Sequence, residues 1–268
     1  MKAVDKFIQR ILGISKPWFI EKTEDKLDSK EIHIYLNYKP KSKFKCISCG
    51  KRCTTFDSSW RIWRDLDIHT YKTYIHARIP RIKCCNKTTI IPPWARENSH
   101  FTQLMEDNIL KIAKMTTITK ESEYIKEHDT RLWRVIIYYV DKARNNADFS
   151  NITKIGMDET SKRGHRYITN FINLDTRKVI YCTEGKDHTT VDRFIEDFKA
   201  HGGIPEDVTD TTCDMSKAFK KGIKENFPNA IITIDKFHVI QLINDAIDDV
   251  RKIEVIDNPL LKKLNIYG

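Results

Sequence analysis

The sequence predicts a multi-domain α/β chain, and three observations carry that reading. Cysteines and short alternating segments crowd residues 1–100. Apolar residues recur at helical spacing through 101–148, and strands alternate with helices over 149–268. Each change of pattern marks a domain boundary, so we expect three: 1–100, 101–148 and 149–268.

In the first region "EIHIYLNY" and "TYIHARIPRIKC" alternate apolar and polar residues and read as strands, and Pro92-Pro93 followed by Trp94 closes the region. In the second, "FTQLMEDNILKIAKM" repeats Leu104, Ile109, Ile112 and Met115 along a helix that Thr102 would cap. Two more helices, "TKESEYIKEHD" and "TRLWRVIIYYVDKAR", follow after a short polar break. Three short helices, the last basic and aromatic, suit a helix-turn-helix unit, or a helical linker that packs between domains.

In the third region "NITKIGMDETS", "HRYITNFINLD" and "RKVIYCTEG" read as three strands joined by turns. A helix near 190–201, the strand "VTDTTCD", the helix "SKAFKKGIKENF", the strand "AIITID" and the helix "FHVIQLINDAIDDVRKI" come next. Three antiparallel strands followed by strand–helix alternation give a sheet of mixed direction.

Net charge is +10, and its distribution says more than its sum. Residues 41–96 carry 13 Lys/Arg against three Asp, and the remainder is balanced at 34 of each sign. A basic excess confined to one segment suggests a phosphate-binding face, or a solvated basic surface. The longest apolar runs fall short of a membrane span, and the charged N-terminus "MKAVDKFIQRILGISKPWFIEK" lacks a signal-peptide core, so a cytoplasmic protein without membrane contact is expected.

Five of the seven cysteines lie inside the basic segment, and an odd count without a secretion signal argues against a disulfide framework. "CISCGKRC" sets Cys46 and Cys49 two residues apart with Gly50 next, the spacing of a knuckle that delivers two thiolates to one tetrahedral ion. Cys84 and Cys85 form the second pair. Adjacent residues on a strand point in opposite directions, so Cys53, His69 or His76 compete with Cys85 for the fourth place. Zinc held there would contribute to folding rather than to chemistry.

Two carboxylates stand out further along. Asp158, in "KIGMDETS", sits late in a strand whose alternate residues Ile155 and Met157 look buried, with Glu159 facing the other way. Asp214 ends the strand "VTDTTCD". On neighbouring strands the two would share divalent metal, Mg²⁺ or Mn²⁺, whereas each alone reads as a turn residue or a helix cap. Asp235 and His238, in "IDKFHV", form a third cluster at a strand end, with capping and packing as the plainer readings.

The ordered set "CISCG", "RIPRIKC", "IPPWA", "FT", "GMDETS", "CDMSKAF" and "DKFHV" resembles the ISL-three-type insertion-sequence transposases of bacteria, from about Cys46 to the last helix. The resemblance implies an N-terminal zinc-ribbon-like module, a helix-turn-helix and an RNase H-like catalytic domain of DDE type. It implies Asp158 and Asp214 as the first two catalytic acids and Cys46, Cys49 and Cys84 as zinc ligands. The family's fourth ligand falls near Lys87, which leaves Cys85 to substitute. The partners implied are double-stranded DNA, as terminal inverted repeats and target, and further copies of the chain, in a nucleoid-associated setting. The family's catalytic glutamate follows "DKFHV" at a distance, and Glu254 matches no such motif, so the expectation is a C-terminally shortened copy with an incomplete catalytic domain. The alternatives are a non-catalytic zinc-bearing protein that occupies transposon ends, and an unrelated metal-dependent nuclease.

Overall fold

The computed structural model describes residues 3–162, 164, 166–256, 258 and 262, and its contacts divide the chain into two units, Met1–Ala143 and Arg144–Gly268. The turn expected at 162–164 and the tail after 256 lie largely outside the described residues.

The first unit opens with helix α1 (Ala3–Ile11) and continues through strands β1 (Trp18–Lys26), β2 (Glu31–Tyr38), β3 (Lys43–Lys45), β4 (Arg52–Ile68), β5 (Tyr71–Lys83) and β6 (Lys87–Thr89). They form one sheet in the order β1-β2-β5-β4-β3, with β6 on β5. The long β4–β5 hairpin turns at His69, whose φ of 56° lies in the left-handed region. Alternation sends Ile75, Ala77 and Ile79 of β5 into a core with Ile34, Leu36 and Trp63. Trp94 closes that core edge-on against Trp18, with ring centroids 4.9 Å apart.

Helices α2 (Gln103–Ala113), α3 (Ile118–Ile125) and α4 (Asp129–Asn145) pack around Phe101, Met105, Ile109, Ile125, Leu132 and Val135. Thr102 caps α2 as expected, accepting from the Met105 amide at 3.2 Å. The buried stripe differs from the expected one: Met105 and Ile109 face inward, whereas Leu104 and Met115 are exposed. The reason is that Thr102 also donates to Asp65 at 2.5 Å, which fixes the rotation of α2 against β4. Arg64, almost fully buried, reaches Glu127 at 3.5 Å and also pairs with Asp67. The change of composition near residue 100 is therefore bridged by polar contacts within one unit.

The second unit contains β7 (Lys154–Lys162), β8 (Arg166–Asn173), β9 (Lys178–Glu184), α5 (His188–Ala200), a short 3₁₀ turn (Pro205–Asp207), β10 (Asp210–Cys213), α6 (Lys217–Asn226), β11 (Ile231–Ile234) and α7 (Lys236–Glu254). Its sheet runs β11-β10-β7-β8-β9. β7, β8 and β9 are antiparallel neighbours, and β10 runs parallel to both β7 and β11. Three meandering strands followed by two parallel ones on the far side of the first is the ribonuclease H-like arrangement. Phe171 of β8 stacks on Phe194 of α5 at 4.1 Å, in a core with Phe149, Phe198, Phe219 and Phe227. Helix α7 buries none of its residues. Among the described residues no helix is long and apolar enough to cross a membrane.

Candidate metal centres

The cysteine site is built from two turns. Gly50, at φ 71°, lets the chain fold back so that its amide donates to the Cys46 carbonyl at 2.8 Å, and the Cys46 amide reaches the Lys51 carbonyl at 2.9 Å. Cys84 and Cys85 lie in the bend between β5 and β6, not within a strand. Strand alternation does not apply there, and both can turn to one side. The ligand atoms of Cys46, Cys49, Cys84 and Cys85 all lie within 4.8 Å of one another. Cys49 Sγ and Cys84 Sγ are 3.5 Å apart, close to the edge of a tetrahedron of thiolates around zinc, about 3.8 Å for a metal–sulfur bond near 2.3 Å.

Amides of Cys49 and Ser48 point at the Cys46 sulfur and draw its thiol down to about 6, whereas hydrogen bonds and charge from Cys49 and Cys84 push Cys85 up to about 12. A soft, crowded sulfur set of this kind fits zinc. The other candidates are engaged elsewhere. Cys53 points at the Lys51 carbonyl, His76 pairs with His33 at 2.8 Å, and His69 lines a cavity with Arg64.

The carboxylates are placed by strand register. Thr212 pairs with Gly156 across β10 and β7, and Cys213 pairs with Ile234 across β10 and β11. Two residues beyond Thr212, Asp214 comes level with Asp158. One residue beyond Cys213 and Ile234, Asp214 and Asp235 come level with each other. Three aspartates thus fall in a row across three parallel neighbours, just past the ends of β10 and β11 and midway along β7. Ile155 and Met157 are buried as expected. Asp158 itself is exposed, so burial imposes no cost that a cation must offset.

The plainer roles are present too. Asp214 Oδ1 accepts from the Ser216 amide at 2.8 Å, and Asp235 Oδ1 accepts from the Phe237 amide at 2.9 Å, as cap of α7. Beside Asp214 lies a cavity of about 340 Å³, lined also by Met215, Ser216, His238, Gln241, Leu242 and Asp245. Glu254 sits at the far end of α7. Hard oxygen donors level with one another on adjacent strands fit a divalent ion such as Mg²⁺ or Mn²⁺.

The basic segment is largely external: ten of its 13 Lys/Arg are exposed. Arg64 is instead buried, and Arg96 bridges to the fully buried Glu106 at 2.9 Å. On α4, Trp133, Arg134 and Ile137 face outward, while Arg131 is tied to Glu127. Sequence reading missed the internal ion pairs, because nothing in a local pattern distinguishes a buried arginine from a surface one.

A cysteine-knuckle ribbon followed along the chain by a sheet of ribonuclease H-like order is the combination expected of a zinc-finger and a DDE domain. Sequence comparison agrees: residues 155–263 match a DDE transposase model of the ISL3 type, and residues 42–86 match the zinc-finger of the transposases of IS204, IS1001, IS1096 and IS1165. The chain is similar to the ISL3-type insertion-sequence transposases in both matched regions. It is 26% identical over 261 residues to the IS1557 transposase of Mycobacterium tuberculosis, across 92% of this chain and 57% of that one. The IS1001 transposase of Bordetella parapertussis is also 26% identical, across 92% and 62% of the two chains. This chain therefore spans less than two thirds of these relatives' length. Among solved structures, the magnesium-bound catalytic core of HTLV-2 integrase is similar over 42% of this chain and 79% of that one, at 14% identity and a TM-score of 0.25.

Proposed function

We propose that this chain acts on double-stranded DNA at the terminal inverted repeats of an insertion sequence, cleaving there and joining the ends to target DNA. The observation that supports the reading is the register that brings Asp214, just past the end of β10, level with Asp158, midway along the parallel neighbour β7. Both would hold Mg²⁺ or Mn²⁺ through carboxylate oxygens. When bound, such ions activate a water or 3′-hydroxyl and stabilise the departing oxygen. The protein's part is orientation: the Ser216 amide fixes Asp214 Oδ1 and leaves Oδ2 for the ion.

Cys46, Cys49, Cys84 and Cys85 would hold a structural zinc that ties the β3–β4 turn to the β5–β6 bend. The exposed basic residues around this ribbon would contact phosphates, and α2–α4, as a helix-turn-helix, would present Trp133 and Arg134 to base edges. Joining both ends of an element calls for two such centres, so the working form is a homo-oligomer on nucleoid DNA.

The test is cleavage of a duplex bearing the source element's terminal repeat, with and without Mg²⁺ or Mn²⁺. Cleavage that needs metal and falls about a hundredfold or more in Asp158→Ala and in Asp214→Ala is the expected result. Repeat-specific binding without cleavage would assign the chain to end occupancy instead, and cutting without repeat preference to an unspecialised nuclease.

A further inference from the structure

Helix α7 is oriented against the usual rule for a surface helix, which turns its apolar stripe inward. Phe237, Ile240, Ile243, Ile247 and Val250 are all exposed. The stripe bordering the Asp214 cavity is instead mainly polar: His238, Gln241 and Asp245, at spacings of three and four, with Ser216 across from them. Asp235, level with Asp214, starts the helix and sets this rotation by capping it. His238 is the half-buried member of the stripe, and among the described residues its ring nitrogens meet no hydrogen-bond partner. A helix that presents an uncommitted imidazole one turn from a row of carboxylates is arranged for a ligand rather than for packing.

We infer that His238 belongs to the same centre as Asp158 and Asp214, and that its imidazole N–H donates to a non-bridging oxygen of the phosphodiester held there. The inference rests on the metal-dependent reading above and names a further contact for its substrate. Carboxylates cannot donate to a phosphate, so a centre built from them needs a donor close by, and His238 lines the cavity beside Asp214 from the first turn of α7, along with Ser216 and Gln241. No proton is transferred in this role. The bond orients the phosphate against the carboxylate-held ions.

Two readouts on the full chain test it without requiring turnover. The first is the Mn²⁺-dependent part of binding to a short fluorescent duplex, by anisotropy. His238→Ala is expected to weaken it about tenfold, the worth of one hydrogen bond to a charged group. His238→Gln, which keeps an N–H donor, is expected to recover most of the loss, and Asp214→Ala to abolish the metal-dependent part. The second is backbone scission by Fe²⁺ with ascorbate and peroxide, expected near Asp158, Asp214 and the first turn of α7.

Wild-type binding by His238→Ala, equal weakening in the Ala and Gln variants, or scission at the aspartates without scission near His238 would each overturn the inference and leave the metal reading standing. Absence of metal-dependent binding and of scission in the unmodified chain would overturn both.

Discussion

Two buried glutamates show how differently one residue type is treated in the helical part of the first unit. Glu106 accepts from Arg96, Ser99 and Tyr139, at 2.9, 2.6 and 2.9 Å, so its charge is met from three sides. Burial, together with its bond to Glu106, pushes the Tyr139 hydroxyl up to about 12. Glu121 is equally buried, yet neither carboxyl oxygen meets a donor among the described residues, and burial raises its pKa above the usual 4.5. A carboxyl that holds its proton more tightly when folded favours the folded state fully below about pH 4.5. That contribution disappears as pH rises through the raised value. Glu121→Gln should therefore stabilise the protein by about 1–3 kcal/mol at neutral pH. The gain should vanish near pH 4, as read by denaturant titration across that range. Equal stability of the two proteins at pH 7.5 would show that the carboxylate is satisfied in solution.

At the scale of elements, the interface between α5 and α6 depends on one missing side chain. A Cβ added at Gly222 would meet Val191 atoms at 2.8 and 2.9 Å, and Val191 is fully buried in α5. Gly222→Ala should push the helices apart and cost about 1–3 kcal/mol despite the better helix propensity of alanine. A melting temperature at or above the parent's would contradict that packing. The ribbon offers a second test. With Cys46 already buried in the core of the first unit, removal of zinc by a chelator should loosen that core. The expected sign is a fall in Trp18, Trp63 and Trp94 fluorescence order, restored by adding zinc back, and Cys49→Ser should show the loosened state without chelator. An unchanged spectrum would make the cysteine set a packing cluster.

Most of these elements were legible in the sequence. The strands and helices of the second unit follow from period and punctuation, and the knuckle follows from Cys-x-x-Cys-Gly. What was not legible depends on distance in space. Cys85 joins the cluster because β5 ends at Lys83, a boundary that alternation alone does not mark. The rotation of α2 is set by Asp65, 37 positions away from Thr102. Asp158, next to the buried Met157, is itself exposed, which its strand's apolar neighbours do not reveal.

At the scale of the molecule, charge is the property with the most direct consequence. Ten exposed basic residues in one segment of a chain of net charge +10 would make the proposed DNA affinity an electrolyte-controlled quantity. If about six of them reach phosphates, the logarithm of the binding constant should fall with the logarithm of salt concentration at a slope near −5. Reversing two of them, as Lys45→Glu with Lys51→Glu, should flatten that slope. A slope near zero would assign the basic excess to a solvated surface. The second unit would add the proposed reaction centre, and strand order is what assembles its carboxylates. Only because β10 inserts beside β7, parallel to it, do residues 56 positions apart come level on neighbouring strands.

Mn²⁺ titration followed by electron paramagnetic resonance tests that juxtaposition. Mn²⁺ binding by the zinc-loaded chain is expected to weaken about tenfold or more in both Asp158→Ala and Asp214→Ala, with the fold retained. Unaltered Mn²⁺ affinity in both variants would contradict it and reduce Asp214 to the cap that its bond to Ser216 already makes.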